Sequence, residues 1–318
     1  MVDRNVTNSV LSWLNTGTIP HPINHTFITL IPKIKKNPEF VTQFRPISLC
    51  NVLYKIFSKV LANRLKTILP TIITEHQSAF TKNRLIYDNI LMAFESLHSM
   101  NNMNSGKMWY MTIKLDMSKA YDQVEWGYLE NVMRKMGFNE RWIGLIMACV
   151  KTVSYSILIN GKPSGFIQPT KGIRQGDPLS PFLFLLCIEG LHGLIQQAAI
   201  SGEIKGFPLC RRGPALTHLL FADDSLLFCR ASGDECRKIL TILEKYEEES
   251  GQKVNKKKIA IFFNKSTTEA TKQEIMAALG IHEIVNFEQY LGLPSLVGRK
   301  KKEGFNFIKE KVWKKLQG

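Results

Sequence analysis

The chain has 318 residues, 44% of them hydrophobic, and carries 42 Lys and Arg against 27 Asp and Glu, a net charge of +15. So much apolar content excludes a disordered polyelectrolyte and exceeds what one compact core uses, so two or three subdomains are expected. The cationic surplus points to a polyanionic partner, nucleic acid first.

The longest unbroken apolar run, Phe182 to Ile188, has seven residues, short of the ~20 of a spanning helix. The opening stretch contains Asp3 and no sustained apolar segment, so neither a signal peptide nor a membrane partner is expected, and the reading is of an intracellular protein, nuclear and cytoplasmic. Cysteines 50, 149, 187, 210, 229 and 236 form no C-x-x-C pair and no His-Cys cluster of finger spacing. They read as small core residues of a reducing compartment, and no structural zinc site is expected.

In chain order, TFITLIPK (26–33) is rich in β-branched residues and predicts a strand, and NPEFVTQFRPISL after it reads as a Pro-punctuated loop. Apolar residues at 53, 56, 57, 60, 61, 65 and 68 have helical spacing, ended by Pro70. WYMTIKLDM (109–117) predicts a buried strand, and VEWGYLENVMRKMG a helix stopped by Gly137. VSYSILING and SGFIQPT predict a hairpin turning at Asn160-Gly161. GIRQGDPLSPFLFLLCIEGLHGLIQQAAI starts as a glycine loop and becomes a long apolar helix, with Asp177 as N-cap and Pro178 at the first helical position. LTHLLFADDSLLF predicts two short strands with an acidic turn, and DECRKILTILEKYEEESG an amphipathic helix closed by a glycine. Residues 251–318 hold 14 Lys or Arg against 6 Asp or Glu, a net of +8, and end in KEKVWKKLQG, a basic helix pattern that reads as a domain cut short.

A strand ending at Asp116 and a hairpin presenting Asp223 and Asp224 bring three carboxylates together if the strands are neighbours in one sheet. Hard divalent cations take such oxygen donors, and two ions about 3.5 to 4 Å apart serve in-line phosphoryl transfer. An Asp-Asp pair at a turn is often turn chemistry alone. Here Phe221 and Ala222 before the pair and Leu226 to Phe228 after it give the acids apolar walls that a solvated turn does not need.

FADDSLLF, KLDMSKAYDQVEW and GIRQGDPLSPFLF resemble motifs C, A and B of reverse transcriptases, in the family's order. With FRPISLCNVLYKIFSKVLANRLK, EHQSAFTKNRLIYDNI, SGQKVNKKK and YLGLP, the chain resembles the enzymes of non-LTR, LINE-type retrotransposons, plant forms in particular, over residues 26–294. The resemblance implies an α+β right-hand polymerase: fingers at 1–108, palm with motifs A to D at 109–265, and the palm end with the start of a truncated thumb at 266–318. It also implies an RNA-directed DNA polymerase using two Mg²⁺ ions, with Mn²⁺ as a substitute, and as partners an RNA template, a DNA primer and dNTP. The family's endonuclease has no counterpart in these residues, and only the start of the thumb that holds the duplex is expected, so weak polymerisation of low processivity is expected. Alternatives are a weakly active or non-catalytic nucleic-acid-binding remnant and a group II intron maturase-like enzyme. FADD and Tyr121 speak against a viral RNA polymerase.

Carried onto this sequence, the resemblance makes Asp116 and Asp223 ligands of both metals, Asp224 the third acid and Met117 the donor of a backbone carbonyl. Tyr121 corresponds to the steric gate against a 2′-hydroxyl, Gln175 to a nucleotide contact, and Arg174 and Gly176 to template and primer contacts. Lys33 and Arg45 correspond to triphosphate clamps. Lys258 corresponds to the motif D proton donor, with Lys257 as fallback because Ile259 replaces the usual serine. Asp122 is expected to be structural, Glu125 to be a first-turn helix acid, and Gln123 stands where many relatives have arginine. A cluster of carboxylates without its metal should raise at least one carboxyl pKa.

Overall fold

The computed structural model describes residues 2–33, 37–103, 108–210, 213–281, 289–294 and 301–317. Helix α1 (Val2–Thr16) and the single turn α2 (His21–Asn24) lead into β1 (His25–Pro32), and β2 (Phe44–Cys50) returns antiparallel to it. Helices α3 (Val52–Ile72) and α4 (Ile86–Asn102) follow, then β3 (Tyr110–Ser118), α5 (Trp126–Lys135) and α6 (Glu140–Lys151). A hairpin, β4 (Ser154–Ile159) and β5 (Lys162–Ile167), precedes the central helix α7 (Ser180–Ile200). The short pair β6 (Phe207–Pro208) and β7 (Ala215–Leu216) comes before β8 (His218–Phe221) and β9 (Asp224–Arg230). The rest is α8 (Gly233–Ser250), β10 (Lys253–Val254), β11 (Ala260–Phe263), α9 (Glu269–Leu279), the pair β12 (Gln289–Tyr290) and β13 (Leu293–Pro294), and α10 (Lys301–Gln317).

Two sheets organise these elements. One has the order β2-β1-β4-β5, and the other the order β10-β3-β9-β8 with β11 also paired to β3. Every second residue of β3 from Met111 to Met117 is buried, and α5, α7 and α8 pack together over one core built on Leu129, Phe184, Leu186, Leu191 and Tyr246. Helix α7 is long and apolar enough, by length and composition, to cross a membrane, which the short unbroken runs did not suggest. Half of its apolar window is buried inside the protein, as the central helix of a core requires.

Several expectations hold for local reasons. Asn160 and Gly161 both take positive φ, +51° and +76°, and turn β4 into β5. Gly251 takes φ +74° and closes α8, while Ser232 caps its start by accepting from Glu235 N. The basic pattern at the end of the chain forms α10.

Others are corrected. FRPISL is a strand, not a loop: Pro46 is accommodated because β2 is an edge strand, where a missing N–H breaks no ladder. Pro70 lies in the last turn of α3, which runs on to Ile72. Helix α7 starts at Ser180 with Pro181 in its first turn, so Asp177 is not its N-cap; its Oδ1 accepts from Leu179 N, at 2.9 Å, in the preceding turn. A linear boundary at residue 108 also fails, because β4 and β5, from the segment expected to form the palm, complete the N-terminal sheet by parallel pairing of β4 with β1.

Arg174 is the largest correction. It was expected to face template or primer, and it is 5% exposed. Its Nη1 donates to Asn24 Oδ1 at 2.7 Å and Thr26 Oγ1 at 3.2 Å, its Nη2 donates to the Cys149 carbonyl at 2.9 Å, and it pairs with Asp177 at 3.1 Å. The guanidinium lies 3.9 Å from the centre of the Tyr54 ring, whose hydroxyl donates to Asp177 at 2.6 Å. A buried cation needs such complete pairing. It ties α2, β1, α3 and α6 to the loop before α7.

Arg174→Met should therefore cost about 3 to 5 kcal/mol, because Asp177 is left buried without its cation. Denaturant unfolding measures the loss, and Arg174→Lys should recover little of it because one ammonium cannot reproduce the fork.

Candidate active site

Strands β3 and β9 are direct neighbours, and their register sets Asp116 opposite Asp224. Phe221 is opposite Asp224 across the β8–β9 hairpin, which leaves Ala222 and Asp223 as a two-residue turn. Ala222 takes φ +52°, a conformation that favours glycine and costs a residue with a Cβ roughly 1 to 2 kcal/mol. Surrounding bonds impose it. Ala222 N donates to Gln77 Oε1 at 3.1 Å, Leu220 N to the His76 carbonyl at 2.8 Å, and Asn89 Nδ2 to the Leu220 carbonyl at 2.6 Å. Gln77 and Asn89 are buried positioning residues that the sequence reading quoted without assigning a role. Their own stretch, EHQSAFTKNRLIYDNI, is largely polar and marks neither of them; only the fold shows that these two amides are buried.

Lys258 Nζ lies 3.1 Å from both carboxylate oxygens of Asp116. The short helix Lys256–Lys258 presents it, anchored by Asn255 N donating to the Asp116 carbonyl at 2.8 Å. Burial raises the Asp224 carboxyl above its ordinary pKa; Lys114 and Lys258 oppose the rise, and the charges of Asp223 and Asp116 add to it. Asp224 thus carries a raised carboxyl pKa, with burial as its main cause and the neighbouring acids a smaller one.

A cleft of about 840 Å³ opens in front of these groups. Asp116, Met117, Tyr121, Asp122, Gln175, Gly176, Asp223 and Lys258 line it, as do Lys33, just after β1, and Arg45 and Pro46 of β2. The Met117 side chain is buried, which leaves its backbone to the cleft. Tyr121 stacks on Phe184 of α7, ring centroids 5.1 Å apart and planes 7° from parallel. Burial, then Asp223, pushes its hydroxyl up to about 12, so it stays protonated. Lys33 Nζ donates to the Thr42 carbonyl at 2.9 Å, and Arg45 is exposed.

The glycine loop seals the cleft floor. Gly172 N donates to the Val124 carbonyl and Ile173 N to the Tyr121 carbonyl, at 2.8 and 2.9 Å. A Cβ on Gly172, at φ +91°, would sit 2.8 Å from the Asp122 carbonyl oxygen, and one on Gly176, at φ +107°, would sit 3.1 Å from the Ser48 carbonyl oxygen. Gln175 Nε2 reaches Asp122 Oδ1 at 3.5 Å, and burial raises the Asp122 carboxyl against the pull of Lys119. Asp122 thus lines the cleft, beyond the purely structural place expected of it. Glu125 precedes α5 without capping it and pairs with Lys171 at 3.4 Å.

A family model described as "Reverse transcriptase (RNA-dependent DNA polymerase)" matches residues 33–294, a span that contains every site residue named above. The chain is 26% identical over 228 residues to "Transposon TX1 uncharacterized 149 kDa protein" of Xenopus laevis, covering 70% of this chain and 17% of that protein. It is 27% identical over 221 residues to "Retrovirus-related Pol polyprotein from type-1 retrotransposable element R2" of Popillia japonica, covering 69% of this chain and 29% of that one. The chain thus spans less than a third of either relative. Among solved structures, apo telomerase from Candida tropicalis, truncated from its C-terminal domain, superposes with a TM-score of 0.53 at 15% identity, covering 78% of this chain and 52% of that one, a likeness of fold.

Asp224 gives a signed test. A carboxyl whose native pKa is raised favours folding at low pH, and that contribution is lost as pH climbs from near 4 through its elevated native value. Asp224→Asn should raise stability at pH 7 by up to about 1 kcal/mol in metal-free buffer. It should also flatten the fall in stability above pH 4, as read by urea unfolding across pH.

Proposed function

The chain belongs to the reverse transcriptase family, and from that premise we propose that it is the RNA-directed DNA polymerase of a non-LTR retrotransposon, adding a dNTP to the 3′-hydroxyl of a DNA primer paired with an RNA template. The observation that carries this reading is that Asp116 and Asp223 line one cleft together with Lys33 and Arg45, with Asp224 opposite Asp116 in the strand register.

Reverse transcriptases as a family use divalent metal ions. The donor set fits such ions: hard carboxylate oxygens, one pair already drawing an ammonium to 3.1 Å and another with its carboxyl pKa raised by burial. Asp116 and Asp223 would hold two Mg²⁺, or Mn²⁺, with the Met117 carbonyl and Asp224 at the edge. When bound, such ions activate a hydroxyl and neutralise charge on a leaving oxygen.

The remaining work falls to the chain's own side chains. Arg45 presents a guanidinium fork to the triphosphate and Lys33 a point charge. Tyr121, held rigid by Phe184, blocks the space a 2′-hydroxyl would need, while Gln175 and the bare backbone of Gly176 face nucleotide and primer. Lys258, which lines the same cleft, is placed to donate a proton to pyrophosphate. The net charge of +15 supplies attraction for the nucleic-acid backbone.

Single-nucleotide extension of a DNA primer on an RNA template tests the reading. Asp223→Asn should lower incorporation by roughly a hundredfold or more while RNA affinity changes less than about twofold; incorporation that survives the substitution contradicts it. Tyr121→Ala should raise incorporation of rNTP relative to dNTP by at least about tenfold, and unchanged sugar discrimination would remove Tyr121 from the gate.

A further inference from the structure

Outside the cleft, the structure gathers three imidazoles from distant parts of the chain. His76 lies in the loop after α3, His192 on α7, and His218 at the start of β8. One nitrogen of each lies within 4.8 Å of the other two, and His192 Nδ1 is 2.9 Å from His218 Nε2. The rings of His76 and His218 stack with centroids 4.4 Å apart.

We propose that His76, His192 and His218 form a binding site for a first-row divalent cation of the zinc class, with a fourth coordination position left to water.

The distances suit this. With metal–nitrogen bonds of about 2.0 to 2.1 Å, tetrahedral ligands stand about 3.3 Å apart, so the observed separations close on an ion by side-chain adjustment alone. Outer contacts are in place as well. Thr74 Oγ1 meets His76 Nδ1 at 3.0 Å and Thr217 Oγ1 meets His218 Nδ1 at 2.8 Å, the kind of contact that fixes which nitrogen of an imidazole is left to accept a metal. Glu189, one turn before His192 on α7, accepts from Thr74 N at 3.1 Å and binds the loop to the helix.

Burial sets the protonation state the site needs. It lowers the pKa of all three rings, that of His192 to about 4, so at neutral pH they are uncharged and carry the lone pairs a metal accepts. His218 is fully buried and the other two are half-buried, which leaves an approach from solvent. Imidazoles favour zinc-class ions and carboxylates favour Mg²⁺, so the two sites divide the available ions by chemistry.

The consequence is mechanical. The loop that carries His76 also carries Gln77, which holds the strained Ala222 beside Asp223. An ion on the three histidines clamps that loop, α7 and the β8–β9 hairpin together behind the acids.

The test uses the whole chain in excess Mg²⁺, which saturates the carboxylates, and titrates Co²⁺ and Zn²⁺ into wild type, His76→Gln and His192→Gln. His218 is left unchanged because its burial makes a variant there prone to misfold. Wild type should bind about one equivalent of Co²⁺ with the visible absorption of a four-coordinate ion, and Zn²⁺ should compete it away and raise the melting temperature. Both variants should lose the band and the thermal shift, with at least about tenfold weaker binding, while their circular dichroism stays native. Equal Co²⁺ binding by wild type and both variants would overturn the proposal, as would binding that disappears only in Asp223→Asn. Because the readout is metal binding, the result stands whether or not the chain polymerises.

Discussion

Negative charge held at short range by a rigid backbone is the constraint around which this molecule is arranged. Asp116 faces Asp224 across two paired strands, and Asp223 follows from the turn next door. Strands cannot move apart to relieve the repulsion without breaking the ladder. The relief visible in the structure is local: Lys258 sits on Asp116, and Asp224 is pushed toward its neutral form. A site held this way favours cations with a higher charge than one ammonium.

Much of the surrounding architecture serves to keep that turn and the cleft in front of it fixed. Gln77 and Asn89 anchor the hairpin from the loop after α3 and from α4. Gly172 brings the loop before α7 against the turn that follows Asp116, closer than any side chain would permit. Arg174, two residues on, secures the same loop to the opposite sheet by filling its fork with partners from α2, β1 and α6. Each holds through hydrogen bonds made where water is excluded, so each is costly to remove singly.

The sequence disclosed the parts whose signals are local. The alternating strand before Asp116, the acidic hairpin, the Asn160-Gly161 turn and the capped helix α8 all rest on spacing or on one residue's backbone preference, and all are present. Of the residues singled out in motifs A, B and C, Asp116, Met117, Tyr121, Gln175, Gly176 and Asp223 line one cleft and Asp224 pairs opposite Asp116, whereas Arg174, expected at template or primer, is buried. That error has a physical origin: an arginine in a glycine loop looks available until Asn24, Thr26 and Cys149, more than twenty residues or a whole sheet away in sequence, come to meet it. The strand at Pro46 was hidden for a similar reason, since only sheet order reveals that β2 lies at an edge. The histidine cluster has no sequence signature at all, because its members sit at 76, 192 and 218 and belong to three unrelated elements.

The competition at Asp116 gives the most direct measurement. If the acids are a metal site that Lys258 guards, then removing its charge must strengthen metal binding. Lys258→Gln, followed by Mn²⁺ titration with electron paramagnetic resonance counting the unbound ion, should bind Mn²⁺ several-fold more tightly than wild type. Affinity that is unchanged or weaker in Lys258→Gln would mean that the three carboxylates are not a cation site held ready behind a displaceable lysine, and the polymerase reading would lose its physical basis.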